Sequence, residues 1–421
     1  MDVKGKKLLV MGDNPESAVL VETANSMGVK TIVTGVNKNT TPKKIAWKAF
    51  DINGLDIDAM EQLARKEEVD GIMVGVADIL VPSYTELCNR LGFPCYSSVE
   101  AVKYLSNKSL FKEQLLKVGL PVIPEYQETK EVKNQDWDKL QYPVVVKPVD
   151  SGGGVGITIV KNAHDMELAI EKATRNSHSK RIQIEKYMSG DIIACYYTII
   201  DGKVYLSSLE DNIFTKKQPQ LCPVTTGHFY ASRYLNEYYR IAHDKICKLL
   251  NNVNAKNGIL QINAFIENGE FYFYDPGYRF QGEAQHHILN AVNGFDHKKM
   301  MVNFAFTGEM YDGDFEKIND PYLHGKKCAS VWILLKKGII GTLNGMEEIS
   351  SDSRVVYNGQ RLYKGMEVTD TMLGTEKQVL SRIYLVCKDE QELSYMINQI
   401  KRNIVIKDVD GNDMFLDTLN T

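Results

Sequence analysis

Residues 142–156 read YPVVVKPVDSGGGVG and place a lysine shortly before a cluster of glycines. The β-branched residues 144–146 predict a strand that leads into Lys147, and residues 157–160 predict a second strand. Glycines between two strands predict a hairpin flap whose backbone N–H groups can fold over phosphates, with the lysine as a fixed positive charge. The same residues also fit a strand lysine whose stem lies along apolar surface beside a glycine-rich hairpin.

Length and composition narrow the class of protein. At 421 residues the chain exceeds the size that one core usually serves, so two to four domains are expected. The net charge of −4 gives no reason to expect nucleic acid or an acidic membrane as a partner. The sequence shows no apolar run of membrane-spanning length, and its first hydrophobic segment is too short for a signal peptide. Seven cysteines occur singly, without a CxxC pair, which predicts reduced thiols and a cytoplasmic location.

The first hundred residues alternate predicted strands and helices in the order βαβαβα. This order predicts a small doubly wound parallel sheet. Ligands of such sheets bind outside the carboxyl ends of the strands, here near residues 12–14 and 75–78. The first turn lacks GxGxxG, so we expect no dinucleotide; a pocket for part of a small substrate and a plain connecting loop both remain open.

A helix over about residues 107–118 follows, and Ser106 is the expected N-terminal cap. Lys108 then lies in the first turn, where the helix dipole disfavours a cation. That local cost favours a purpose for this lysine, such as reaching a ligand phosphate.

A second chemical cluster surrounds a predicted hairpin with the turn Asn268–Gly269. Pairing of the two strands can bring Asn263 near Asp275, and Arg279 follows four residues later. A carboxylate, an amide oxygen and a guanidinium suit Mg²⁺ held between protein and phosphates. An exposed hairpin with solvated charges fits the pattern equally well.

Four features of the sequence, taken together and in their order, resemble the ATP-grasp superfamily. They are the helix lysine, the strand lysine with its glycines, a Glu-Lys-hydrophobic hinge, and the acidic strand end followed by arginine. The resemblance spans essentially the whole chain. It implies an α/β and α+β protein, in which an N-terminal doubly wound domain precedes two α+β subdomains that clamp ATP and a β-rich lid. The expected units are 1–104, 105–188, 189–326 and 327–421.

The resemblance also implies which residues hold the nucleotide. Lys108 and Lys147 are expected at the ATP phosphates. The flap over the triphosphate corresponds to Gly152, Gly153 and Gly154. The hinge whose backbone holds the adenine edge corresponds to Glu185, Lys186 and Met188, and Asp191 matches an acidic residue near the ribose.

The metal and transfer residues carry two departures from the family pattern. Asp275 matches a metal carboxylate, and Arg279 matches the arginine near the transferred phosphate. The family usually has Glu where Asn263 stands and Asn where Gly277 stands. Mg²⁺ tolerates such losses if phosphates and waters complete its octahedron, but the affinity or the number of metal ions is expected to be lower.

The implied activity is that of a carboxylate–amine ligase, similar to L-amino acid ligases and biotin-carboxylase-like enzymes. ATP with Mg²⁺ (or Mn²⁺) would phosphorylate a small carboxylate, and an amine would attack the acyl phosphate and release ADP and phosphate. Lys147 and Arg279 are the expected catalytic residues, and Glu283 and His228 are candidates for a base. The resemblance leaves a homodimer open, with neither nucleic acid nor membrane as partner.

Two alternatives to this activity remain open. Gln281 and Glu283 stand where a biotin-carboxylase branch of the family carries Gln and Glu, which would fit a carboxylating enzyme. Asn263 and Gly277 would fit a nucleotide-binding regulator that keeps the clamp with reduced turnover.

Overall fold

The computed structural model describes residues 3–129, 137–149, 155–215 and 223–416. Its N-terminal unit is a four-stranded parallel sheet in the order β3-β2-β1-β4. The strands are β1 Lys7–Met11, β2 Lys30–Thr34, β3 Lys48–Phe50 and β4 Gly71–Val74, and the helices are α1 Ala18–Ser26, α2 Thr41–Ile45, α3 Ile57–Glu67 and α4 Val81–Leu91. The predicted parallel sheet is confirmed, and β3 adds an edge strand that the sequence pattern did not predict.

The second unit is an antiparallel sheet in the order β5-β8-β6-β7. Two helices, α5 Val99–Leu105 and α6 Lys108–Lys117, precede it; its elements are β5 Glu125–Thr129, β6 Val144–Pro148, β7 Thr158–Val160, α7 Met166–Arg175 and β8 Ile182–Lys186. The strands on either side of the predicted flap, β6 and β7, form an antiparallel pair as expected. The flap glycines themselves, Gly152, Gly153 and Gly154, lie outside the described residues.

The remainder of the chain is built on one sheet of nine strands in the order β13-β12-β9-β10-β11-β14-β18-β16, with β20 beside β14. Its first part comprises β9 Asp191–Ile200, β10 Lys203–Phe214, β11 Thr225–Tyr230, α8 Leu235–Tyr238, α9 Asp244–Asn252, β12 Gly258–Glu267, β13 Glu270–Gly277, α10 Gln285–Asn293, α11 His297–Thr307 and α12 Phe315–Ile318. The turn between β12 and β13 has positive φ at Asn268 (53°) and Gly269 (76°), which two-residue hairpins require.

The C-terminal part comprises β14 Lys327–Leu335, β15 Gly338–Asn344, α13 Met346–Ser351, β16 Val355–Gln360, β17 Glu367–Val368, β18 Val379–Cys387, α14 Glu390–Asn403, β19 Val405–Asp408 and β20 Phe415–Leu416. β14, β16 and β18 extend the nine-stranded sheet, while β17, β15 and β19 form a small separate sheet. The division of the chain into four units stays a prediction, and its last two units share this large sheet.

The apolar cores group the secondary-structure elements differently from the way the sheets do. One continuous apolar core joins the N-terminal sheet to helices and strands of residues 193–323. The four-stranded β5-β8-β6-β7 sheet has a small core of its own, which includes Val144, Met166 and Ile184. This unit therefore has fewer apolar ties to the remainder than the N-terminal unit has. Within the described residues, no helix combines the length and apolar character needed to cross a bilayer.

Close backbone approach at the junction of β11 and β14 leads to a stability prediction. A Cβ atom at Gly227 would lie 2.2 Å from the carbonyl oxygen of Ser330, whereas a Cβ at Gly92 would meet nothing within 4 Å. Gly227→Ala must therefore push the strands apart, at about 3 kcal/mol or more. Gly92→Ala carries only the strain of its left-handed backbone, about 1–2 kcal/mol.

Urea unfolding of the two variants beside wild type measures the difference. Equal losses of stability in both variants would contradict the close approach of β11 to β14.

Candidate functional site

Lys108 occupies the first position of α6. The side chain of Asn107 accepts hydrogen bonds from the backbone N–H groups of Ser109 and Leu110, both at 3.1 Å. Asn107 is therefore the cap, and the prediction of Ser106 was wrong because Ser106 ends the preceding helix α5. The Nζ atom of Lys108 lies 3.2 Å from Oδ1 of Asp275. This carboxylate offsets the unfavourable position of a cation at the positive end of the helix dipole.

Asp275 lies at an irregularity of the β12–β13 hairpin. Gln261 pairs with Gly277 and Asn263 pairs with Tyr274, so the strand register shifts between these pairs. Asp275 itself has a positive φ of 53°, which is uncommon for a residue other than glycine. Such a bulge redirects a side chain out of the regular alternation of the strand. The carboxylate is 59% exposed and faces a cleft that Asn263 also lines.

Lys147 belongs to a buried ionic cluster with Glu185 and Lys112. Glu185 on β8 is 3% exposed; it forms an ion pair with Lys147 of β6, and its second oxygen lies 2.5 Å from Nζ of Lys112. Lys112 also lies 2.8 Å from Glu125. Burial alone would raise the pKa of Glu185, but the two lysines outweigh it and hold that pKa below its ordinary value. The side chain of Glu185 is thus committed to the lysines.

Sequence reasoning missed Lys112. The available signal was its spacing, because residues four apart on a helix share a face, and Lys108 and Lys112 stand four apart at the start of α6.

The predicted hinge follows directly after this cluster. Lys186 forms an ion pair with Glu267, and its backbone N–H donates to the carbonyl of Pro124 at 2.9 Å. Met188 is buried. Asp191 begins β9 and lies 2.6 Å from Nη2 of Arg233. Because the N–H of Lys186 is already bonded, an adenine edge at this hinge would use other backbone groups.

Arg279 is held by residues that are distant in sequence. Its Nη2 atom lies 2.6 Å from Oδ2 of Asp78, in the loop after β4, and its Nη1 donates to Gln281 Oε1 at 2.9 Å. The amide of Gln281 donates in turn to the carbonyl of Gly277 at 2.7 Å. A Cβ atom at Gly277 would lie 2.9 Å from that amide nitrogen. The glycine at the family's asparagine position therefore leaves room for the Gln281–Arg279 contact.

Lys108, Asp275 and Arg279 line one cleft of about 1610 Å³. Among the described residues that line it, Lys147, Glu185 and the predicted hinge residues are not included. Its walls include Asn14 and Asp78 from the two loops predicted to bind a ligand, together with Lys108, Asn263, Asp275 and Arg279. Four of the predicted site residues are thus brought together from two separate segments of the chain. The predicted contacts of each residue with nucleotide or metal stay predictions.

The donor set at Asp275 and Asn263 fits a hard divalent cation. A carboxylate and an amide oxygen are ligands that Mg²⁺ accepts in proteins, usually with phosphate and water oxygens completing the shell. The exposed Asp275 carboxylate is directed into the cleft, where such phosphates would lie. The departure at Gly277 removes one amide ligand without leaving an unpaired buried group, because Gln281 uses the vacated space.

The two candidates for a base also lie together. Nε2 of His228 is 4.0 Å from Oε2 of Glu283, and Nδ1 of His228 is 2.8 Å from Oγ of Ser330. Burial, with a smaller contribution from the charge of Arg382, lowers the pKa of His228 to about 3, so its imidazole is neutral. His286 is buried on α10.

Comparison with known proteins agrees with this architecture. Residues 118–218 match the family model described as D-ala D-ala ligase C-terminus, which is an ATP-grasp family. Mitochondrial methylcrotonoyl-CoA carboxylase subunit alpha of Dictyostelium discoideum is 28% identical over 201 residues, which are 43% of this chain and 29% of that protein. The chain therefore spans less than a third of that relative's length.

Two solved structures cover nearly the whole chain. The L-amino acid ligase from Bacillus licheniformis superposes with a TM-score of 0.77 at 17% identity, over 96% of this chain and 99% of that one. The biotin carboxylase domain of Hydrogenobacter thermophilus 2-oxoglutarate carboxylase, a dimer in complex with MgADP, ADP and bicarbonate, superposes with a TM-score of 0.72 at 16% identity, over 98% and 91%. The matched segment is that of an ATP-grasp family, and nearly the whole chain shares its fold with these two structures.

Proposed function

We propose that this protein is an ATP-dependent carboxylate–amine ligase. It phosphorylates a small carboxylate, an amine attacks the resulting acyl phosphate, and an amide is released with ADP and phosphate. The observation that carries the proposal is the meeting of Lys108, Asp275 and Arg279 at one cleft, with Asn263 beside them. The fold shared with an L-amino acid ligase supports the choice of an amide as product.

Charge neutralisation is the main task of such a site. Transfer of a phosphoryl group to a carboxylate brings two anions together, so positioning and positive charge matter more than acid–base chemistry. Lys108 supplies an ammonium at the cleft, and we assign Lys147 to the phosphates of ATP. Mg²⁺, or Mn²⁺ in its place, held by Asp275 and Asn263 would neutralise further phosphate charge.

Arg279 is the residue we assign to the transferring group. Its guanidinium is fixed by Asp78 and Gln281 before any ligand arrives. A donor fixed in advance does not have to reorganise as charge develops, so its stabilisation of the transition state is retained in full. Asn14 and Asp78 line the same cleft, so we place the carboxylate substrate against the N-terminal unit.

Carboxylation is the second candidate reaction. Glu283 favours it, because this residue faces the cleft at the position where the biotin-carboxylase branch carries Glu, and a biotin carboxylase domain shares the fold. ADP release that depends on bicarbonate plus biotin, and on no other carboxylate, would select this reaction over amide formation.

We further propose that the enzyme is cytoplasmic, forms homodimers and acts on small molecules. The dimeric biotin carboxylase domain of the same fold supports the homodimer.

The nucleotide assignment predicts different behaviour for the two lysines that share Glu185. Lys147→Ala should weaken ATP binding by about ten-fold or more, because a charge-assisted contact to phosphate is typically worth roughly 1.5–3 kcal/mol. Lys112→Ala is the matched control, because it also leaves Glu185 with a single cation and should lower stability to a similar extent. Calorimetric titration with ATP at one pH measures both affinities.

An equal loss of ATP affinity in the two variants would show that Lys147 acts through Glu185. Unchanged affinity in Lys147→Ala would remove this residue from the nucleotide site.

The reaction assignment predicts the products and the effect of Arg279. Wild type with hydroxylamine and its best carboxylate should form a hydroxamate and ADP, since hydroxylamine intercepts acyl phosphates. Arg279→Ala should lower kcat by about 100-fold with little change in ATP affinity, because removal of one fixed donor to a transition state costs that much. Asp78→Asn keeps the guanidinium of Arg279 but weakens the contact that holds it, so this variant should lower kcat by less than Arg279→Ala does.

Formation of AMP would exclude the proposed reaction. If the protein binds nucleotide but releases no ADP with any acid of a broad panel, the result would favour the nucleotide-binding regulator instead.

A further inference from the structure

A second group of possible ligands lies beside the cleft and includes the two candidates for a base, His228 and Glu283, to which the proposed amide formation assigns no role. Glu210 of β10 and His228 of β11 lie on neighbouring antiparallel strands, where Glu210 is paired with Tyr230 and Asn212 with His228. Residues two apart on a strand share a face, so Glu210 and His228 are diagonal neighbours on one face. Glu283 approaches them from the segment between β13 and α10. One ligand atom from each of the three residues lies within 4.8 Å of the other two.

Three carboxylate oxygens of this group have no hydrogen-bond partner among the described residues. Glu210 is 1% exposed, and neither of its carboxylate oxygens has a hydrogen-bond partner among the described residues. The same holds for Oε2 of Glu283 in this part of the structure. Tyr230 lies close enough for the charge of Glu210, after burial itself, to raise the Tyr230 pKa, but its hydroxyl is outside hydrogen-bonding geometry. Buried polar groups in native proteins are bonded with few exceptions, so these three acceptor oxygens beside an imidazole are able to bind a cation.

The nearby arginines do not fill this role. Arg279 is paired with Asp78 at 2.6 Å, Arg361 lies 3.3 Å from Glu16, and Arg382 lies 2.5 Å from Glu376. The guanidinium of Arg382 also lies 3.6 Å from the ring centre of Trp332. Each of these cations has a carboxylate of its own outside the group, and within the described residues none of them forms an ion pair with Glu210 or Glu283.

A proton on one carboxylate is the simplest way to reduce the charge of this group, but it accounts for only part of the geometry of Glu210, His228 and Glu283. Burial and the charge of Glu283 raise the pKa of Glu210 well above its ordinary value, which favours the protonated form of Glu210. A protonated carboxyl group removes one charge. It does not bridge oxygens that are beyond hydrogen-bonding range.

We propose that Glu210, His228 and Glu283 form a binding site for a divalent transition-metal ion with the ligand preferences of Zn²⁺, separate from the Mg²⁺ site at Asp275. One imidazole nitrogen and two carboxylates are a set that zinc accepts, whereas Mg²⁺ prefers oxygen ligands only. The hydrogen bond between His228 Nδ1 and Ser330 fixes the ring with Nε2 toward the carboxylates, as outer-shell partners of metal-binding histidines do.

The distances fit with a small contraction. Ligand atoms of a tetrahedral zinc site are about 3.4 Å apart, as follows from ligand distances of about 2.0–2.1 Å. Nε2 of His228 and Oε2 of Glu283 are 4.0 Å apart, and the three ligand atoms all lie within 4.8 Å of one another. Side-chain rotations must therefore bring this pair closer by about 0.6 Å, and any pair by at most about 1.4 Å. The ion would join β10, β11 and the segment of Glu283, whose side chain is 26% exposed at the cleft wall. It would thereby fix that wall, whatever reaction the cleft performs.

Metal titration without nucleotide tests the site. Wild type is stripped with a chelator, dialysed, and titrated with Zn²⁺ in a calorimeter and with Co²⁺ in an absorption spectrometer. Asp275→Asn, which disables the Mg²⁺ site, should bind one equivalent as wild type does. Glu210→Gln and His228→Gln should weaken binding by about 100-fold or more, because loss even of an outer-shell partner costs 10–100-fold. Ser330→Ala removes such a partner and should give a smaller loss.

Two controls keep the outcome clear. His324→Gln removes an exposed histidine that lies 3.2 Å from Asp320, and it should leave the single equivalent unchanged. Thermal unfolding without metal should show that the isosteric Glu210→Gln variant is folded, and Zn²⁺ should raise the melting temperature of wild type but not of this variant. The proposal is overturned if wild type binds no more Zn²⁺ than His228→Gln does, or if Asp275→Asn loses the equivalent.

Discussion

One buried carboxylate, Glu185, holds together the part of the structure on which the nucleotide site depends. It pairs with Lys147 of β6 and with Lys112 of α6, so a single side chain ties the helix that begins at Lys108 to the four-stranded sheet. Removal of one partner from a buried ion pair typically costs 3–5 kcal/mol, because a charge is left without compensation. Here the second lysine would limit that loss. The β5-β8-β6-β7 sheet has only a small core of its own, which makes this ionic contact a large share of its attachment.

The cleft depends on a second constraint, which is the interruption of the β12–β13 pairing. The register shift and the left-handed backbone of Asp275 direct its carboxylate into the cleft, where it meets Lys108. Arg279 follows on the same segment and is fixed by Asp78 of the N-terminal unit. Each cation of the site is therefore held by a carboxylate from another element. This arrangement keeps positive charges in place before any anion binds, which is the condition for electrostatic catalysis without reorganisation.

Local patterns were enough to predict much of this structure. The Asn268–Gly269 turn, the strand before Lys147 and the alternation of the first hundred residues each follow from a few neighbouring residues, and the structure has them. The prediction of Ser106 as a cap failed because Asn107, one residue later, offers a better acceptor for the free N–H groups of α6. The partner of Arg279 could not be predicted, because the contact Asp78–Arg279 joins residues 201 positions apart. The predicted flap glycines lie outside the described residues.

Formation of an acyl phosphate means that an oxygen of the substrate carboxylate becomes bonded to the phosphoryl group of ATP. Isotope labelling follows this oxygen, because a carboxylate that carries ¹⁸O loses one oxygen to phosphate only if an acyl phosphate forms. Inorganic phosphate released during amide formation should contain one ¹⁸O atom, which shifts its ³¹P resonance. If an active enzyme released unlabelled phosphate with a fully labelled carboxylate as substrate, the reaction would not pass through an acyl phosphate and the proposed ligase mechanism would be wrong.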